Sequence, residues 1–158
     1  MKTIPSTLLI GAAIATALNA GVFYAFSSFV MAGLGRIPPE QGANAMNAIS
    51  VTAVMAPFMI LFMGATLLCL GLAGWSLFSF SAFDSKLILA ASLFYVIGCF
   101  GVTAMVNVPL NDQLAAAPPT EIVAMWRTYL HDWVQWNHVR TIASTLSALL
   151  YIIVLVRR

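Results

Sequence analysis

Nine consecutive residues, WVQWNHVRT at 133–141, bring together two indoles, an amide, an imidazole and a guanidinium. An imidazole exchanges protons near neutrality, a guanidinium and an amide hold negative charge through hydrogen bonds, and indoles offer flat apolar faces. A second imidazole, His131, stands just upstream, and NVPLND at 107–112 supplies Asn107, Asn111 and Asp112. His131 and His138 are seven residues apart, roughly 10 Å along a helix, too far to share one metal ion. Cys69 and Cys99 lie in apolar runs without a Cys or His at ligand spacing, and read as small buried hydrophobes. Met55, Met59 and Met63 have helical spacing, which packing explains better than a soft-metal site. No metal is therefore expected.

The elements that must position these groups are membrane helices. Of 158 residues, 61% are hydrophobic and 8% charged, with a mean hydropathy of +0.95, whereas soluble domains carry about 25% charged residues. The net charge of +2 is small and scattered, which excludes a nucleic-acid surface. Four apolar runs, about 5–34, 43–80, 85–110 and 121–156, each reach the roughly 20 residues that a span requires. GRIPPEQG (35–42), SAFDSK (81–86) and NDQLAAAPPT (111–120) separate them, with Asp84 or Ser85, and then Thr120, as expected helix caps. No period-2 strand pattern appears, so the fold expected is all-α, a single-domain integral membrane four-helix bundle over 1–158. Lys2 and ATA at 15–17 resemble a signal peptide, but the apolar run continues past signal length. Lys2, Lys86, Arg157 and Arg158 fall on one side, and Arg36 falls on the other with Glu40, Asp112 and Glu121. The positive-inside rule then makes both termini cytoplasmic, in a bacterium at the inner membrane.

At 1.5 Å per residue, Arg140 lies roughly 25 Å from Arg157, Asn19 roughly 25 Å from Lys2, and Asn107 roughly 31 Å from Lys86. These polar groups are thus expected at one depth, the outer edge of the hydrocarbon, with Asn44 and Asn47 at or just above it. A helical projection places Trp126, Leu130, Trp133, Asn137, Arg140 and Ser144 on one face, flanked by Arg127, His131 and His138. An arginine at this depth should point into the bundle, with Asp112, Asn107 and Asn111 as expected partners, and Pro109 should interrupt the third helix. Trp136 and Tyr129 suit an interfacial aromatic belt equally well. The runs GAAIATALNAG (11–21) and GATLLCLGLAG (64–74) permit close contact within or between chains.

NAGVFYAFSSFVMAGL (19–34), RIPPEQGANAMNAI (36–49), NVPLNDQLA (107–115) and WVQWNHVRT (133–141) together resemble the anthrone oxygenase-like family of small four-span membrane proteins. Ala32 stands where the family often has a proline, and Ser50 where it commonly has an asparagine. The resemblance implies oxidation of an anthrone-like polycyclic phenol to a quinone by dioxygen, without a cofactor. On that reading His138 or His131 is the base, and Arg140 with Asn137 stabilises the oxyanion. Trp133 and Trp126 stack the ring, while Asn107, Asn111, Asp112, Asn19 and Asn47 complete the substrate site. The alternative is a non-catalytic membrane protein that binds a lipid or quinone or serves as an accessory subunit of a larger complex. A small transporter is disfavoured by the lack of an internal repeat, although an oligomer of this chain could form a pore.

Overall fold

The computed structural model describes residues 4–55, 57–78 and 83–158, which leaves Lys2 and the start of SAFDSK outside the described residues. The described residues form helices and no strand. Four of the helices are long and apolar enough to cross a membrane: α1 (Ser6–Leu34), α3 (Phe58–Phe78), α4 (Phe83–Ala116) and α5 (Ile122–Val156). A fifth, α2 (Pro39–Ala53), is shorter and more polar. The bundle is closed in a ring in which α1 packs on α3 and α5, and α4 packs on α3 and α5.

Helix is the solution that a lipid solvent forces on such sequences, because every backbone N–H and C=O must be satisfied within the chain. Several hydroxyls inside the spans donate to the carbonyl four residues back, Thr16 to Ala12, Thr66 to Phe62, Ser76 to Leu72 and Ser92 to Ile88, while Ser144 and Ser147 are buried without a hydrogen-bond partner among the described residues.

The apolar run expected at 43–80 is not one helix. Its first part forms α2, which ends at Ala53, and Pro57, having no N–H to continue a ladder, opens α3 by accepting from the Leu61 amide at 3.2 Å. Nor does Pro109 interrupt the third span. α4 runs on to Ala116 because the backbone just before the proline adopts a π-helical turn at Thr103–Asn107, an adjustment that accommodates the missing donor, and another π turn lies farther back at Val96–Gly101. A further π turn, Phe26–Val30, lies within α1. The expected caps differ too: Asp84 and Ser85 lie inside α4, and α5 starts from Glu121 rather than Thr120, with no side-chain cap.

Two apolar cores stack along the bundle. One, around Phe23, Phe62, Cys69, Tyr95, Cys99 and Tyr151, joins all four spans. There the Tyr151 hydroxyl lies 2.7 Å from that of Ser92 and 3.5 Å from Cys69 Sγ, and both cysteines are buried and free. The other core docks α2 against α5 and the end of α4 around Met31, Met46, Leu114, Trp126, Tyr129 and Trp133. At the opposite end Arg157 pairs with Asp84 at 3.3 Å and Arg158 donates to the Ile4 carbonyl at 2.7 Å, so the described N-terminal residues, the start of α4 and the C-terminus share that end.

Candidate active site

Between the two cores α5 carries Asn137 and Arg140, both buried, at 0% and 5% exposure. Of the expected face of α5, Trp126, Trp133, Asn137, Arg140 and Ser144 are buried and Leu130 is half-buried; Tyr129 is buried as well. Trp136, by contrast, is 42% exposed, as a belt residue would be.

The partners of Arg140 are not the expected ones. Its Nη2 donates to Asn137 Oδ1 at 2.7 Å and its Nη1 to Thr103 Oγ1 on α4 at 3.3 Å. The guanidinium carbon lies 4.5 Å from the Phe23 ring centre and 4.8 Å from that of Trp133, so two aromatic faces sandwich the cation. Nε has no partner, and among the described residues no carboxylate lies within ion-pairing distance of the guanidinium. Asp112 is exposed instead. Asn107 donates to the Trp133 carbonyl at 3.2 Å and clamps α4 to the α5 backbone. Asn111 Oδ1 accepts from Tyr129 at 2.7 Å and from Trp133 Nε1 at 2.9 Å. Both asparagines therefore hold α5 in place rather than neutralise its arginine.

From Asn137 the network continues outward. Its Nδ2 donates to the Phe23 carbonyl and to Ser27 Oγ, each at 2.7 Å. Ser27, on the π turn of α1, also lies 2.9 Å from His138 Nδ1 and 3.2 Å from Thr141 Oγ1. Tyr24, Ser27 and Ser28 of α1 face His138, Thr141 and Ile142 of α5 across an open groove of about 460 Å³. The groove opens on the flank of two spans, not at an end of the bundle. A continuous path of side chains thus runs from the buried guanidinium through Asn137 and Ser27 to an accessible imidazole.

Other expected site residues lie elsewhere. His131 is exposed, with Nδ1 2.7 Å from Asp132 and Nε2 3.3 Å from Gln135, and it does not line the groove. Asn19 donates to Ala15 of its own helix at 2.9 Å, leaving Oδ1 buried without a partner. Asn44 is exposed and Asn47 half-buried on α2, so the polar meeting point draws on α1, α4 and α5. Trp126 and Trp133 are buried in a stack with Tyr129 between them, at ring distances of 5.7 and 6.0 Å, and do not line the groove. Among the described residues no three His, Cys, Asp or Glu side chains come together as a metal site.

Reasoning from sequence missed Ser27 and Thr103. Thr103 had a signal, since it lies four residues before Asn107. Ser27 had only its place in an apolar run, where a hydroxyl usually bonds back to its own helix.

The model of a family described as anthrone oxygenase matches residues 58–150. The chain belongs to that family. The matched stretch carries Thr103, Asn107, Asn137, His138, Arg140 and Thr141, while Tyr24 and Ser27 lie before it. No curated protein and no solved structure matches the chain.

Proposed function

We propose that this protein is a cofactor-independent membrane oxygenase that uses dioxygen to oxidise an anthrone-like polycyclic phenol to a quinone in the groove between α1 and α5. The observation that carries the reading is Arg140, a buried cation with no counter-ion among the described residues, set two side chains behind an accessible imidazole. A buried charge is costly unless something compensates it, and a substrate that becomes an anion at the groove would do so.

The ring methylene of an anthrone is a carbon acid whose conjugate base is an aromatic enolate. His138 removes that proton. The enolate passes one electron to dioxygen, the resulting carbon radical and superoxide combine as a peroxide anion that takes the proton back from the His138 imidazolium, and loss of the remaining C–H proton with hydroxide, together one water, leaves the second carbonyl. One dioxygen is consumed and one water released, so no external reductant enters. At an effective dielectric of about 20, a positive charge about 8 Å from a developing anion would contribute roughly 2 kcal/mol. Arg140 thus acts on the enolate through its field, not as the direct hydrogen-bond donor that the sequence suggests. If the termini are cytoplasmic, the groove lies toward the outer leaflet, and a lipid-dissolved ring enters from the side.

The test is oxygen uptake by the metal-stripped protein in nanodiscs supplied with an anthrone, after subtraction of uncatalysed autoxidation. The proposal predicts uptake above background that falls roughly 10- to 100-fold in Arg140→Ala. Uptake at background, with a quinone or lipid retained in native mass spectra, would instead support a binding or accessory protein.

A further inference from the structure

The proton positions around Ser27 follow from counting donors, starting at Arg140. A guanidinium only donates. Its 2.7 Å contact therefore fixes the atom of Asn137 that it meets as the oxygen, which makes Nδ2 the donor to both Phe23 O and Ser27 Oγ. Ser27 then has one lone pair and one proton left for two neighbours, His138 Nδ1 and Thr141 Oγ1. Thr141 donates its own proton to the Asn137 carbonyl at 2.9 Å, so it can only accept from Ser27. Ser27 gives its proton to Thr141, and the remaining lone pair requires an N–H at His138 Nδ1. The reverse arrangement either sets two lone pairs against each other at the 3.2 Å contact or strips the Asn137 carbonyl of its shorter bond.

The consequence reaches the whole groove. Ser28 donates to Tyr24 O at 2.7 Å, so the protons of Ser27, Ser28 and Thr141 are all committed to protein acceptors. What the groove offers between these groups is lone pairs and the bare Nε2 of His138. The Tyr24 hydroxyl is the one lining group whose proton these bonds leave uncommitted.

We propose that Ser27 is a positioning residue that holds His138 as the Nδ1–H tautomer, and that the groove consequently selects aromatic ligands carrying a hydroxyl proton, phenols or enols, over their ethers and quinones. The inference rests on the groove being the ligand site of the proposed function. It also gives that site a direction: the reduced phenol supplies the proton that the groove accepts, whereas the quinone, with carbonyl oxygens alone, can meet only the Tyr24 hydroxyl and binds more weakly.

Two measurements on the full chain in nanodiscs test this without turnover. The chain has two histidines, so His131→Gln leaves His138 as the single imidazole in a histidine-selective ¹H–¹⁵N long-range correlation spectrum. With the ring neutral, the spectrum should show Nδ1–H, and Ser27→Ala should shift it toward Nε2–H. In parallel, 2-naphthol should bind about tenfold more tightly than 2-methoxynaphthalene after subtraction of partition into empty nanodiscs, and Ser27→Ala should erase most of that ratio. An Nε2–H tautomer in otherwise unaltered protein, or an ether that binds as well as the naphthol, overturns the proposal. Should Ser27→Ala fail to fold, the tautomer and the affinity ratio in protein with Ser27 intact still decide. Nδ1–H with a naphthol preference but no oxygen uptake would refute the oxygenase reading alone. Uptake with Nε2–H would refute this inference alone.

Discussion

Asn137 is one amide whose three contacts each depend on its orientation, and that orientation is set by a charge. Asn137→Asp tests the electrostatic role of Arg140, because the new carboxylate would lie against the guanidinium and cancel its charge, at the cost of the donor that meets the Phe23 carbonyl and Ser27 Oγ. The expected outcome is a folded, monodisperse protein with oxygen uptake reduced at least as far as in Arg140→Ala, checked by size-exclusion chromatography beside the uptake assay. Uptake near that of the unaltered protein would show that the uncompensated charge is irrelevant. At this scale the sequence was informative about α5, because helical projection alone places Asn137 and Arg140 on the buried face. It could not separate His131 from His138. The two imidazoles differ in what a neighbouring helix brings to them: Ser27 reaches His138, whereas His131 meets Asp132 and Gln135 of its own helix.

Ser27 comes from π-helical backbone at Phe26–Val30, and Thr103 and Asn107 from a second π turn at Thr103–Asn107, whereas Phe23 and Tyr24 come from the regular helix before Ser27. A π turn rotates the residues around it out of the regular 3.6 period, so the apolar spacing along α1 gives no sign of Ser27. The long apolar spans were legible because their length exceeds what any soluble helix needs to bury, but α2 was merged with α3 because residues 43–53 are apolar enough to pass as span. Helix contacts show a similar limit. The glycine-rich runs in α1 and α3 meet at Gly11, where a Cβ would lie 3.7 Å from the Leu68 side chain, whereas a Cβ at Gly21, Gly64, Gly71 or Gly74 would meet nothing within 4 Å in the single chain. The tight approaches are at Gly98, where a Cβ would lie 2.5 Å from that of Ala143, and at Gly42, where it would lie 2.7 Å from the Trp126 ring. Gly98→Ala should push α4 from α5, destabilise the bundle by about 1–3 kcal/mol and weaken the Arg140 to Thr103 contact. Gly42→Ala should loosen α2 at similar cost. Gly64→Ala, the control, should be neutral or stabilising by up to about 1 kcal/mol. Denaturant titration in detergent measures all three, and equal effects at Gly98 and Gly64 would contradict the packing described.

On the scale of the whole molecule, a polar cluster lies between two apolar cores and reaches the surface sideways, through a groove between the first and last spans. This arrangement would suit the proposed reaction on a greasy ring, since such a ring and dioxygen both concentrate in hydrocarbon while the charge proposed to favour ionisation stays buried. The composition made the membrane class legible. The groove was not, because it arises where α1 and α5, more than a hundred residues apart in sequence, meet side by side. The central claim is that His138 removes a carbon-bound proton from a ring lying in that groove. Its most direct measurement is anaerobic: deuterium incorporation at the methylene of an anthrone incubated with the protein in heavy water, before any oxygen is admitted. The account predicts exchange well above that in buffer and empty nanodiscs, falling to that background in His138→Gln. Exchange at background with intact His138, in protein that still consumes oxygen when the anthrone is added in air, would contradict it.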